Sequence, residues 1–153
     1  TMQQQKVTPK AVYSVLGGAA SSFKFVKEAP ESANGIIDCN HWYNPKDARA
    51  LALRKRVEAK GLFFTYEIFN TYTAMMYLAD AINRAKSTDR AAITAALTDS
   101  TFSDHFMPYG PTKMVNGQNT GAQPLMTQVL GGDIKVIVPR EYRQADPVFP
   151  MKS

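Results

Sequence analysis

Residues 108–139 put extended chain at the end of an otherwise helical sequence, and this limits what the whole can fold into. Turn residues divide the stretch into three segments. The first, 110–115, stops at Asn116-Gly117, two residues that tolerate positive φ and favour a tight turn. The second, 122–130, ends at Gly131-Gly132-Asp133, and the third, 134–138, is stopped by Pro139. Strands need partner strands, and the earlier chain offers only two, at 9–16 and 35–40. Two early strands, three late ones and three or four helices between them make a poor self-contained sheet. Parallel pairing needs neighbours, and both faces need cover. The fold class is therefore α/β, and the chain reads as the end of a larger α/β protein.

The early strands carry the clearest local logic. The run from Pro9 ends at Gly17-Gly18, after which Ala19-Ala20-Ser21-Ser22 leads into a short helix over 23–28, ended by Pro30. Strand, helix, strand is a βαβ unit, which favours a parallel sheet with a right-handed crossover. In open parallel sheets ligands sit beyond the carboxyl ends of strands, which here means 16–22 and 40–43. Two readings of Gly17-Gly18 stay open. The glycines can simply make the turn, or the helix start can offer free backbone N–H groups to an anion, with a serine as cap. His41-Trp42-Tyr43 is similarly double. Three amphipathic rings at a strand end suit a ligand pocket, yet Trp42 can equally plug the edge of the core with His41 at the surface. Cys39, the single cysteine, lies in an apolar run and reads as a buried small hydrophobe.

The middle of the chain is helical. Asp47 caps a helix to about residue 59, stopped by Lys60-Gly61. Its basic cluster (Arg49, Arg54, Lys55, Arg56, Lys60) reads as a solvated face rather than a nucleic-acid patch, since no nucleic-acid motif accompanies it. The longest helix runs over 66–86, with Ile68, Tyr72, Met75, Ala79 and Ile82 on one face. Ser87-Thr88-Asp89 caps another helix to about residue 97. A polar loop over 98–107 tucks in Phe102 and Phe106, and 140–153 forms an irregular strap.

Composition narrows the function classes. At 153 residues, 44% hydrophobic and 20% charged, the chain suits one globular domain and contains no apolar run long enough to span a bilayer. The N-terminal residues are polar, without a signal-peptide pattern. Two histidines and one cysteine offer no metal-ligand spacing, and nothing calls for a cofactor. Ser21-Ser22-Phe23-Lys24 matches a Ser-x-x-Lys pattern, but the companion Lys-Thr-Gly strand is missing. No paired carboxylates suggest acid/base work, so no catalytic constellation stands and an enzyme is not expected.

Taken in order, these segments resemble the C-terminal part of the type I periplasmic solute-binding proteins, the leucine/isoleucine/valine-binding family that feeds ABC importers. The resemblance rests on the strand before Gly17-Gly18-Ala19-Ala20, on Ala33-Asn34-Gly35-Ile36-Ile37 and on Asn44-Pro45-Lys46-Asp47. It continues through Thr71-Tyr72-Thr73-Ala74, Ala79-Asp80-Ala81-Ile82, Pro108-Tyr109-Gly110-Pro111, Asn116-Gly117-Gln118-Asn119 and Val136-Ile137-Val138-Pro139. It implies pieces of both lobes of a two-lobed fold: a second-lobe βαβ unit over 1–40, a hinge over 41–46, first-lobe helices and a strand over 47–120, and a return to the second lobe over 121–153. It also implies ligand contacts at Gly17, Gly18, Ala19, Ala20, Ser21, His41 and Trp42, with hinge positions at Asn40, Tyr43, Asn44, Asn119 and Gly121. Amino-acid binders of the family often carry an acidic residue in the second-lobe loop, and here the loop has none. The implied partners are a small-molecule ligand, which could be an amino acid, an amide or an aromatic or carboxylic acid, and an ABC permease at the membrane. The implied location is periplasmic. A ligand-sensing regulatory domain of the same fold is the alternative. With half the cleft and its cover missing, the isolated chain is expected to self-associate.

Overall fold

The computed structural model describes residue 2, residues 4–15 and residues 18–151. Strands β1 (Tyr13–Val15) and β2 (Ile37–Asn40) pair in parallel, with Tyr13 opposite Ile37 and Val15 opposite Cys39. Between them lie a 3-10 turn at Ala19–Ser21 and two short helices, α1 (Phe23–Glu28) and α2 (Pro30–Ala33). The expected βαβ unit is thus present, with two differences. Of the expected strand over 9–16, only Tyr13–Val15 is strand among the described residues, and residue 16 lies outside them. Pro30 both closes α1 and opens α2 at its first turn, where a missing N–H costs nothing because that group has no intrahelical acceptor.

Three longer helices follow: α3 (Ala48–Glu58), α4 (Tyr66–Ala85) and α5 (Arg90–Leu97). Their starts follow the capping residues. Asp47 Oδ1 accepts from Arg49 N at 2.7 Å and Asp89 Oδ1 from Ala92 N at 3.0 Å, each satisfying an N–H left free by the first helical turn. Strands β3 (Thr101–Phe102), β4 (Thr112–Val115) and β5 (Gln118–Asn119) form a small antiparallel sheet. β3 lies inside the expected polar loop; two residues are too few to show a period in the sequence. Asn116 and Gly117, at φ 50° and 76°, join β4 to β5.

The chain then returns to the first sheet through β6 (Leu125–Leu130) and β7 (Asp133–Val138), giving the order β1-β2-β6-β7. Gly131 and Gly132 turn this hairpin at φ 59° and 77°. β6 pairs antiparallel with β2, Asp38 facing Thr127 and Asn40 facing Leu125. The extended segment expected from residue 122 starts only at Leu125, directly after Pro124. Past β7 a 3-10 turn at Arg140–Tyr142 opens the strap. The strap closes over the sheet: Gln128 Nε2 donates to Gly35 O and Val148 O, both at 3.0 Å, and Met151 N donates to Lys10 O at 2.8 Å.

One core joins these parts. Leu125, Val129, Ile134 and Val136 from the sheet meet Phe23 and Val26 of α1 and an aromatic cluster of Trp42, Tyr43, Phe64 and Phe69. Trp42 lies 5.3 Å, centroid to centroid, from both Tyr43 and Phe69, spacings at which edge-on and tilted rings attract. Burying each such ring contributes about 2–3 kcal/mol on area grounds. Arg54 departs from the solvated face expected of the basic cluster. Its guanidinium turns inward over the Phe23 ring at 4.4 Å and bonds Tyr43 Oη at 3.1 Å, Glu58 at 3.0 Å and Asp133 at 3.2 Å. Helix α3 is thereby tied to the four-stranded sheet, whereas Lys55, Arg56 and Lys60 stay exposed. Cys39, expected to be buried, is half-buried, because β1 beyond it is an edge strand among the described residues.

Candidate functional site

The parallel register of β1 and β2 brings two carboxyl ends side by side. From β1 the chain enters the Gly18–Ser22 loop; from β2 it enters Asn40 and His41. Gly18 holds φ 71°, and a Cβ there would stand 3.1 Å from Cε1 of Tyr66 at the start of α4. The loop is therefore glycine-dependent twice, by backbone conformation and by the tyrosine ring against it. Phe23 N donates to Phe64 O at 3.1 Å, and Ser22 bridges to Thr65, so the loop is fastened to the approach to α4.

Beneath the loop lies a polar row. Ser21 Oγ donates to Asp38 Oδ2. Both residues are fully buried, as are Asn40 and Thr127 beside them. Thr127 Oγ1 donates to Asp38 O at 3.5 Å, and Asn40 Oδ1 accepts from His41 N at 2.8 Å. Asp38 Oδ1 and Asn40 Nδ2 have no partner among the described residues. Successive residues of a strand face opposite ways, so Asp38 and Asn40 share one side of β2. The nearby Tyr66 phenol is pushed up from its ordinary pKa, first by the Glu67 charge, then by burial and a Glu67 hydrogen bond, with Asp38 adding its own charge.

The residues implied by the family resemblance fall into distinct places. Gly18, Ala19, Ala20 and Ser21 form the loop, with Asn40 and His41 beside it; Gly17 lies outside the described residues. Trp42 is apart from them, fully buried in the aromatic cluster, and its indole N–H has no partner among the described residues. Of the two readings its sequence allowed, the chain as folded here shows the core plug. Tyr43 is equally buried, its phenol raised by burial and partly held back by Arg54. Asn44 N donates to Phe106 O at 2.8 Å, fixing the 41–45 segment against 105–107. Asn119 Oδ1 accepts from Lys113 N at 3.2 Å and Gly121 N at 3.1 Å. A Cβ on Gly121 would lie 2.3 Å from Pro111 O, so the chain passes there only as glycine.

Asp38, Thr127 and Tyr66 escaped the sequence reading. Asp38 alone left a signal, a carboxylate in the apolar run Ile36-Ile37-Asp38-Cys39. No helix is long and apolar enough to cross a membrane among the described residues.

This mixed α/β architecture matches the fold of the type I periplasmic binding proteins. Superposition on solved structures gives a TM-score of 0.66 with a leucine binding protein from Thermotoga maritima, at 18% identity over 88% of this chain and 38% of that one. For a Silicibacter pomeroyi protein assigned as a branched-chain amino acid ABC transporter the score is 0.69, at 21% identity over 97% of this chain and 43% of that one. An extracellular ligand-binding receptor from Rhodopseudomonas palustris gives 0.65, at 19% identity over 87% and 42%. The chain thus spans well under half the length of the structures it matches. No curated protein matches it significantly. The sequence profile of the periplasmic binding protein family matches residues 1–133, and the chain belongs to that family.

Proposed function

We propose that the chain is the C-terminal portion of a two-lobed extracytoplasmic solute-binding protein that captures a small organic ligand and delivers it to an ABC permease. The observation that carries this reading is the adjacency of the Gly18–Ser22 loop and the Asn40–His41 strand end at two parallel carboxyl ends. That is where open α/β sheets bind ligands, and the family is one of binding proteins. In this reading the four-stranded sheet, α1, α2 and the strap belong to one lobe. α4, α5 and the β3–β5 sheet belong to the other, and the chain crosses near 40–46 and 119–124. The Arg54 bonds to Asp133 and Tyr43 support grouping α3 with the first of these lobes in this reading, as an alternative to the placement with the other lobe that the family resemblance implies.

Ligand selection then rests on hydrogen bonds and lobe closure, with no chemical step. The rest of the parent protein supplies the facing half of the cleft and covers the edge of β1, where Tyr13 and Val15 are 53% and 59% exposed. Native mass spectrometry of the parent, purified without added ligand, tests the reading. One small molecule bound per protein is expected. A parent that stays empty, and that no amino acid, amide or carboxylic acid saturates, would refute it.

A further inference from the structure

Helix α3 is apolar on two sides. Ala50, Leu53 and Val57 face the core, beside the inward-turned Arg54. On the opposite side Ala48, Leu51, Ala52, Lys55 and Ala59 recur at i, i+3, i+4, i+7 and i+11, so they share one face, and each is exposed. Past the helix the chain leaves Leu62 and Phe63 58% and 37% exposed. Lys60 N and Leu62 N donate to Val57 O, and Gly61 N to Glu58 O, holding this turn against the helix end. Cations rim the apolar stripe. Lys55, Arg56 and Lys60, with Lys24 and Lys27 of α1, are exposed and enter no ion pair among the described residues. Lys27 Nζ lies 5.7 Å from the centre of the Phe63 ring, which joins the α1 lysines to the patch. Of the acids on α1 and α3, Glu58 is held by Arg54, and only Glu28 is unpaired among the described residues.

The combination of cations and exposed apolar side chains selects the partner. A soluble polyanion satisfies the cations and leaves Leu62 and Phe63 in water. An anionic lipid surface takes both, with phosphates at the headgroup level and acyl chains just beneath them. We propose that the outward face of α3, continued by Leu62 and Phe63, is a docking surface for anionic phospholipid. The small side chains of Ala48, Ala52 and Ala59 let the helix lie close to a flat surface, while the long Lys and Arg side chains reach the headgroups around it. The Arg54 bonds fix the inner side of the helix, so the docking face is presented rigidly. At 11 residues α3 is too short to span a bilayer. The contact is peripheral and therefore sensitive to salt. The inference goes beyond the solute-binding reading and uses no residue of the candidate ligand site.

The test is flotation of the parent protein with vesicles of phosphatidylcholine, alone or with about one-third phosphatidylglycerol, at about 0.05 M and about 0.5 M salt. Wild-type protein should partition onto the anionic vesicles at low salt about tenfold or more above the neutral ones, and lose most of that binding at high salt. Lys55→Glu, Arg56→Glu and Lys60→Glu together should cut the partition about tenfold or more, because each cation near such a surface strengthens binding about fivefold. Leu62→Ser should cut it about threefold or more and leave the salt response in place. Thermal unfolding of the variants should match wild type, since all these side chains lie at the surface. Equal flotation with neutral and anionic vesicles, or none with either, overturns the proposal on wild-type protein alone. So does a triple variant that floats like wild type, or a Leu62→Ser variant with no loss. Retention on immobilised polyglutamate without flotation also overturns it and points to an acidic protein partner. Each of these failures leaves the solute-binding reading intact, because mass spectrometry of the parent tests that reading separately.

Discussion

Arg54 is the point at which the account of this fold can be tested most quantitatively. Its guanidinium joins helix α3, the post-strand residue Tyr43 and β7, with side-chain exposure of 20%. Arg54→Met keeps the aliphatic stem and removes the charge and donors. Three losses follow from the geometry. The Tyr43 hydroxyl, bonded at 3.1 Å, is left buried without that partner, at about 1–3 kcal/mol. The stack over Phe23 at 4.4 Å forfeits about 1 kcal/mol. The pair with Asp133 adds less, because Lys135 also holds that carboxylate and the site is partly solvated. The expected total is about 2–4 kcal/mol. Tyr43→Phe removes the hydroxyl alone and should cost about 1 kcal/mol. Urea denaturation of the two single variants and the double variant closes a thermodynamic cycle. A coupling energy of about 1 kcal/mol is expected between residues in direct contact. Coupling near zero, with Arg54→Met costing under about 0.5 kcal/mol, would refute the clamp and return Arg54 to the solvated face.

Three further outcomes follow from the structure. Gly121→Ala should destabilise by about 1–3 kcal/mol in the same denaturation assay, because its Cβ would sit 2.3 Å from a backbone oxygen held in place by the Asn119 and Lys113 bonds; a neutral result would mean the 119–121 segment yields freely. The single tryptophan should emit as a buried indole and resist iodide quenching, and Trp42→Ala should cost about 3–5 kcal/mol; ready quenching would place it at a surface. His105 Nδ1 accepts from Met107 N at 3.1 Å, and burial lowers its pKa below the ordinary value. The folded state thus favours the neutral ring, and its contribution is complete above about pH 6.5 and lost as pH falls through the depressed value. His105→Gln should flatten the loss of stability that sets in as pH falls below about 6.5, and an unchanged acid limb would count against this role.

The sequence was most legible where local chemistry decides local structure. Asp47 and Asp89 cap α3 and α5 as expected, and α4 ends within one residue of its expected end, but its expected apolar face is not the buried one: Tyr72, Met75 and Ala79 are exposed, and Phe69, Thr73 and Ala81 are buried instead. Asn116-Gly117 and Gly131-Gly132 made both hairpin turns readable, since few residues accept positive φ. Legibility failed where tertiary partners decide. Arg54 looks like its basic neighbours until β7 brings Asp133 beside it. Trp42 had two readings because a ring at a strand end can turn either way, and only packing against Phe64 and Phe69 settles its position in this chain. The polar row was hidden for a related reason. Ser21, Asp38 and Thr127 lie on three separate elements, and only the sheet order that sets β2 between β1 and β6 makes them neighbours.

Division of one cleft between this chain and the remainder of a two-lobed parent is the central claim, and parallel calorimetry tests it most directly. The ligand released from the parent protein is titrated into the parent and into the isolated 153 residues. The parent should bind one equivalent, and the isolated chain at least about a hundredfold more weakly, because the facing lobe that buries the ligand is gone. Tight one-to-one binding by the isolated chain would contradict the claim and make these residues a complete binding site by themselves.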